Sequence, residues 1–174
     1  MKRACAAGLA AALLLGLASC ATRPPALQEL EKKTYLAGDS LIVEMGTHLI
    51  VFDPPADAPQ PFLEAARKRF PGKPLRYLVL TRARMDRPER LRAYLDQRTE
   101  WIVPGGAGEE LRRALASPRT LIVEITDRYV LADGEREVDI VPVGDARGGA
   151  ALMGYVPDAK LGFAAGKVTR PGGP

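Results

Sequence analysis

At 174 residues the chain is long enough for one domain with a buried core. Its formal charge of +4 includes Lys2 and Arg3, which lie in an N-terminal leader. Without those two cations the balance falls to about +2, too near neutral to call for a nucleic-acid partner. The 2 cysteines, Cys5 and Cys20, lie in or directly after the leader, which excludes a disulfide, a redox motif or a thiolate metal site in the rest of the chain.

The chain opens with a short positive start, Met1-Lys2-Arg3, and an apolar run, ACAAGLAAALLLGLA, too short and too abruptly ended to span a membrane as a mature helix. That is the pattern of a secretory signal peptide. It ends in Leu17-Ala18-Ser19-Cys20, which matches the bacterial lipobox. Small residues let a peptidase grip an extended backbone, and the Cys20 thiolate accepts the lipid. The expected mature protein begins at a lipidated Cys20 and has the membrane as its partner through that anchor. Ala21, which is not acidic, directs such a lipoprotein to the periplasmic face of the outer membrane in a host with two membranes. The expected organisation is a leader over 1–19, a lipidated tether over 20–33, a folded domain over 34–168 and a disordered tail over 169–174.

From Ser40 the composition turns β-rich. SLIVEM and HLIVFD flank Gly46-Thr47, which predicts a hairpin, and Asp53-Pro54-Pro55 stops its second strand. Phe62, Leu63, Ala66 and Phe70 recur at helical spacing, and Pro71-Gly72 ends that helix. LRYLVL (Leu75 to Leu80) reads as a buried strand. A polar loop follows, then a helix expected from Pro88 to about Gln97. Trp101 to Val103 is a short strand. GEELRRALA is a helix with acids in its first turn and arginines later. TLIVEI, RYVLA, EVDIVPV, AALMGYV and KLGFAA are strands, with Asp133-Gly134 a turn. A hairpin, strand–helix alternation and an antiparallel run together predict a layered α/β domain.

Three segments carry a resemblance: DSLIVEMGTHLIVFDPP, PLRYLVLTRARMDRPERLRAYL, and the run from Asp127 through Gly166. In that order they resemble the metallo-β-lactamase family, which implies an α/β fold of αββα sandwich type, here shortened at its C-terminus. In that family the loop after the strand reads His-x-His-x-Asp-His, and its side chains hold metal ions that make a bound water nucleophilic. Laid on that pattern, Arg82, Arg84 and Arg87 stand where histidines would, and only Asp86 matches. A later histidine position falls on or near Arg147, and a bridging Asp position falls at about Gly166. Arginine is always charged and offers no lone pair, so no metal and no other cofactor is expected.

Three readings of Arg82, Arg84, Asp86, Arg87 and Arg147 stay open: solvated charges at a helix start, an ion pair that replaces the metal, or an anion pocket beside a helix N-terminus. The remaining candidates are bland. His48, the single histidine, starts a strand far in sequence from the loop, and no Ser-His-Asp triad assembles around Ser40 or Ser117. VPGGAGEEL lacks the Lys-Ser/Thr of a phosphate loop. The expected function is therefore a non-catalytic, membrane-anchored lipoprotein with a binding or structural role, whose small-anion or protein partner is unknown. The alternatives are a hydrolase with an atypical site around Asp86 and a truncated reading frame.

Overall fold

The structure is a computed structural model and describes residues 25–83, 87–144 and 149–170. Two sheets face each other. The larger runs β1 (Gln28–Glu31), β2 (Thr34–Ala37), β3 (Ser40–Glu44), β4 (Leu49–Phe52), β5 (Leu75–Val79), β6 (Glu100–Pro104) and β7 (Ile122–Ile125), in that spatial order. Its first four strands form an antiparallel meander, and β4 through β7 are mutually parallel. Parallel neighbours need crossovers. Here these are α1 (Pro59–Arg69), a 3₁₀ helix (Pro88–Gln97) and α2 (Gly108–Leu115). The smaller sheet is an antiparallel meander of β8 (Tyr129–Ala132), β9 (Glu137–Gly144), β10 (Ala150–Val156), β11 (Leu161–Ala164) and β12 (Lys167–Thr169).

Strand alternation divides the core in two. Ile42, Val51, Leu78, Trp101 and Val103 point to the helix side of the large sheet, where they meet Phe62 and Leu63 of α1, Leu91 and Tyr94 of the 3₁₀ helix, and Leu111 and Leu115 of α2. Leu41, Val43, Ile50, Phe52, Val79 and Ile102 point the other way and meet Val138, Ile140, Leu152, Leu161 and Phe163 of the small sheet. The expected mixed α/β sandwich is thus formed. Among the described residues all three helices pack on the large sheet. Gly154 of β10 is required at the inter-sheet contact, since a Cβ there would lie 2.3 Å from the Phe52 ring.

Three expectations need correction. Gln28–Glu31, placed in the tether, pairs antiparallel with β2 instead. The intervening Lys32 and Lys33 both take positive φ, 42° and 56°, so the hairpin turn is made by residues that give no turn signal in the sequence. Thr169, placed at the start of the disordered tail, instead ends β12, which pairs with β11 across Ala165 (φ 49°) and Gly166 (φ 76°). The segment Pro88–Gln97 is helical as expected but of 3₁₀ type. Leu91 and Tyr94, the two buried residues among its described side chains, are three apart, the repeat of a 3₁₀ turn. Tyr94 packs edge-on to Phe62 at 6.3 Å, and its hydroxyl donates to the Pro55 carbonyl at 2.9 Å.

Candidate functional site

β4 and β5 run parallel and end side by side. Crevices beyond the carboxyl ends of parallel strands are where α/β sheets bind ligands. A cavity of about 980 Å³ lies there, lined by Ser40, Asp53, Arg82, Arg87, Leu91 and Gly166, with further residues of the same loops.

Asp53 builds its floor. It follows β4 with φ 46°, a left-handed conformation that turns its carboxylate toward β5. There Oδ1 accepts from the Thr81 backbone N–H at 2.7 Å, and Oδ2 accepts from the Thr81 hydroxyl at 2.6 Å. Thr81 Oγ1 in turn accepts from the Ala165 N–H at 2.9 Å, in the β11–β12 turn. The chain Asp53–Thr81–Ala165 therefore joins the ends of three strands from two sheets. Burial pushes the Asp53 carboxyl above its ordinary value, against the opposing effects of the Thr81 hydrogen bonds, the Arg82 charge and the Gly166 N–H. The Ser40 hydroxyl donates to the Asp53 carbonyl at 2.6 Å and so braces the same turn.

Arg82 and Arg87 both line this cavity and are both exposed. Arg82 is fixed through its backbone: it forms an isolated antiparallel bridge with Ala151 of β10, next to the Leu152 N–H donated to the Thr81 carbonyl at 2.8 Å. Neither arginine makes an ion pair with an acid among the described residues. Arg84, Asp86, Arg147 and Cys20 lie outside the described residues. The structure thus brings together two of the five residues expected around the loop.

Asp53 and Thr81 are the site residues that sequence reasoning missed. The signal available was Asp53 closing an apolar strand before Pro54-Pro55. Nothing local in the sequence tied it to Thr81.

A metal does not fit the described residues. Guanidinium groups cannot coordinate one, and two of the described lining side chains are Arg82 and Arg87. No group of three His, Cys, Asp or Glu side chains converges among the described residues. A hydroxyl nucleophile with a histidine base does not assemble here either. His48 directly precedes β4 while Asp53 follows its end, about 16 Å away at the rise of a strand. What the described residues place at the cavity is two arginines, Arg82 and Arg87, and three acids, Asp39, Asp53 and Asp57, of which Asp53 is braced by Thr81.

A search of the solved structures gives the fold. A diflavin flavoprotein fragment from Nostoc sp. PCC 7120 superposes with a TM-score of 0.69 at 17% identity, over 82% of this chain and 66% of that one. A metallo-beta-lactamase from Pontibacter korlensis gives 0.66 at 14%, over 80% and 70%. One from Hirschia baltica gives 0.60 at 18%, over 82% and 71%. The chain has the metallo-β-lactamase fold. It spans only 42% of the flavodiiron core of Synechocystis sp. PCC6803, which it also matches. No protein-family model matches the sequence, and no curated protein matches it. The resemblance read from the three sequence segments is therefore supported at the level of the metallo-β-lactamase fold.

Proposed function

We propose that the chain is a lipoprotein anchored through Cys20, and that its metallo-β-lactamase-fold domain has a binding or structural role rather than a hydrolytic one. The observation that carries this reading is the placement of Arg82 and Arg87 on the cavity at the ends of β4 and β5. Laid on the family's His-x-His-x-Asp-His pattern these residues stand at histidine positions, and they put fixed positive charge where a metal-dependent hydrolase needs lone pairs. The leader and the Leu17-Ala18-Ser19-Cys20 box support the anchor. In a host with two membranes, Ala21 after the cysteine supports attachment to the periplasmic face of the outer membrane.

Purified full-length protein tests the role. Metal analysis is expected to find no stoichiometric zinc or iron, and assays with a β-lactam and a thioester are expected to show no turnover. Stoichiometric metal with hydrolysis would replace this reading by that of a hydrolase with an atypical site around Asp86. Labelling cells with radioactive palmitate tests the anchor. The chain is expected to take up label and Cys20→Ala to take up none; equal labelling of both refutes lipidation at Cys20.

A further inference from the structure

The two edges of the large sheet are built differently. β1, at one edge, carries Gln28, Glu29 and Glu31, is followed by Lys32 and Lys33, and has a register shift between Glu29 and Glu31. Charges and irregularities of that kind keep an edge strand from pairing with another chain. β7, at the other edge, holds Ile122, Val123 and Ile125 with a single acid, Glu124, and pairs with β6 without a shift. It has neither a proline nor a lysine. Leu121, directly before it, is 59% exposed and lines a second cavity of about 830 Å³, together with His48, Arg98 and Thr120.

The free edge presents a defined set of hydrogen-bonding groups. The Leu121 carbonyl accepts from the Trp101 N–H at 2.9 Å and the Ile125 carbonyl from the Gly105 N–H at 3.0 Å, so the odd-numbered residues turn their backbone groups toward β6. The N–H and C=O groups of Ile122 and Glu124 therefore point outward, where no described strand pairs with them.

The charges along this segment select a partner. Arg119 stands before β7 and Asp127 after it; both are exposed, and neither has an ion pair with a described residue. Two copies of the segment can be laid antiparallel with Val123 opposite Val123. Ile122 then lies opposite Glu124, so their outward backbone groups bond to one another. Leu121 falls opposite Ile125, and Arg119 opposite Asp127. Opposed side chains share a face of the sheet, about 4.5–5.5 Å apart at Cβ. Centring the pairing on Glu124 instead sets two carboxylates against each other, and centring it on Ile122 sets Arg119 against Ile125. Only the Val123 register pairs the charges.

We propose that β7 pairs antiparallel with β7 of a second copy of this chain, in a two-fold dimer whose large sheets join into one. Arg119 meets Asp127 at both ends of the joint, and Leu121 packs against Val123 and Ile125 of the second copy. Such an interface is self-complementary, as two-fold symmetry requires. It is small, so the dimer forms at about micromolar concentrations or above. The pairing is independent of what the cavity at the ends of β4 and β5 binds.

Sedimentation equilibrium of the full-length chain in density-matched neutral detergent, over about 1–500 µM, tests this. The wild-type chain is expected to show a reversible monomer–dimer equilibrium. Arg119→Asp and Asp127→Arg each set like charges opposite one another at both ends of the joint. Each is expected to weaken dimerisation by about tenfold or more. An equimolar mixture of the two variants is expected to dimerise as tightly as the wild type, because only the mixed pair restores opposite charges at both ends. Chance sharing of a micelle does not respond to these charges. A wild-type chain that stays monomeric throughout leaves the edge to a strand of another protein and overturns the proposal. Either single variant dimerising at wild-type strength, or a mixture as weak as its components, overturns it as well.

Discussion

Thr81→Val tests the bracing of the first cavity in the most direct way. Valine keeps the shape of the threonine, which is fully buried, and removes only the hydroxyl. That hydroxyl donates to Asp53 Oδ2 at 2.6 Å and accepts from the Ala165 N–H at 2.9 Å. A hydrogen bond to a charged group contributes about 1.5–3 kcal/mol, and an orphaned buried N–H costs about 1–3 kcal/mol. The two are not additive in full, so the expected loss is about 3–4 kcal/mol near neutral pH.

The loss also depends on pH. Asp53 has a folded-state pKa raised above its ordinary value of 3.8, chiefly by burial. Its contribution to stability is therefore fully present below that ordinary value and is lost as pH rises through the folded value. The Thr81 hydroxyl favours the ionised form, so removing it raises the folded pKa further and makes ionisation costlier. Thr81→Val is thus most damaging at high pH. The deficit should shrink by about 1–2 kcal/mol between about pH 8 and about pH 4, as a charge-assisted bond becomes an ordinary one. Urea unfolding followed by Trp101 emission measures this, because the ring is 1% exposed when folded. A loss below about 1 kcal/mol, or a loss that does not change with pH, refutes the role given to the Asp53–Thr81–Ala165 chain.

Substitutions at two further positions probe the fold around the sites. Arg136 has a side chain only 7% exposed; it pairs bidentately with Asp158, both contacts at 2.9 Å, and donates to the Glu44 carbonyl at 2.7 Å and the Lys33 carbonyl at 3.2 Å. Arg136→Ala is expected to cost about 3–5 kcal/mol in the same unfolding assay, and Arg136→Lys to recover only part of it, because an ammonium cannot reproduce the fork. Gly154→Ala places a methyl group against the Phe52 ring and is expected to cost about 2–3 kcal/mol through overpacking; an unchanged unfolding midpoint would refute a tight inter-sheet contact at Gly154.

Much of the architecture could be read from local patterns. Branched apolar residues on both sides of Gly46-Thr47 fix the β3–β4 hairpin, and the Met45 N–H indeed donates to the His48 carbonyl at 2.9 Å. The α1 stripe of Phe62, Leu63 and Ala66 is buried as its spacing requires. The same logic failed where conformation is imposed from outside. Lys32-Lys33 turns the chain between β1 and β2 although lysine has no preference for positive φ; pairing along the strands decides it.

The sequence by itself determined most of the strand and helix order, from the β3–β4 hairpin through the antiparallel run ending in β11, and with it the α/β class. Both depend on residue type and spacing along a few neighbouring residues. The tertiary structure alone decided which side chains meet. Asp53 and Thr81 are 28 positions apart yet share two hydrogen bonds, because β4 and β5 run parallel and in register. His48, Arg98, Thr120 and Leu121 line one cavity only because the crossover helices return the chain to the same edge of the sheet three times. Such contacts are set by the closure of long loops and the burial of a shared core, for which no short stretch of sequence carries a signal.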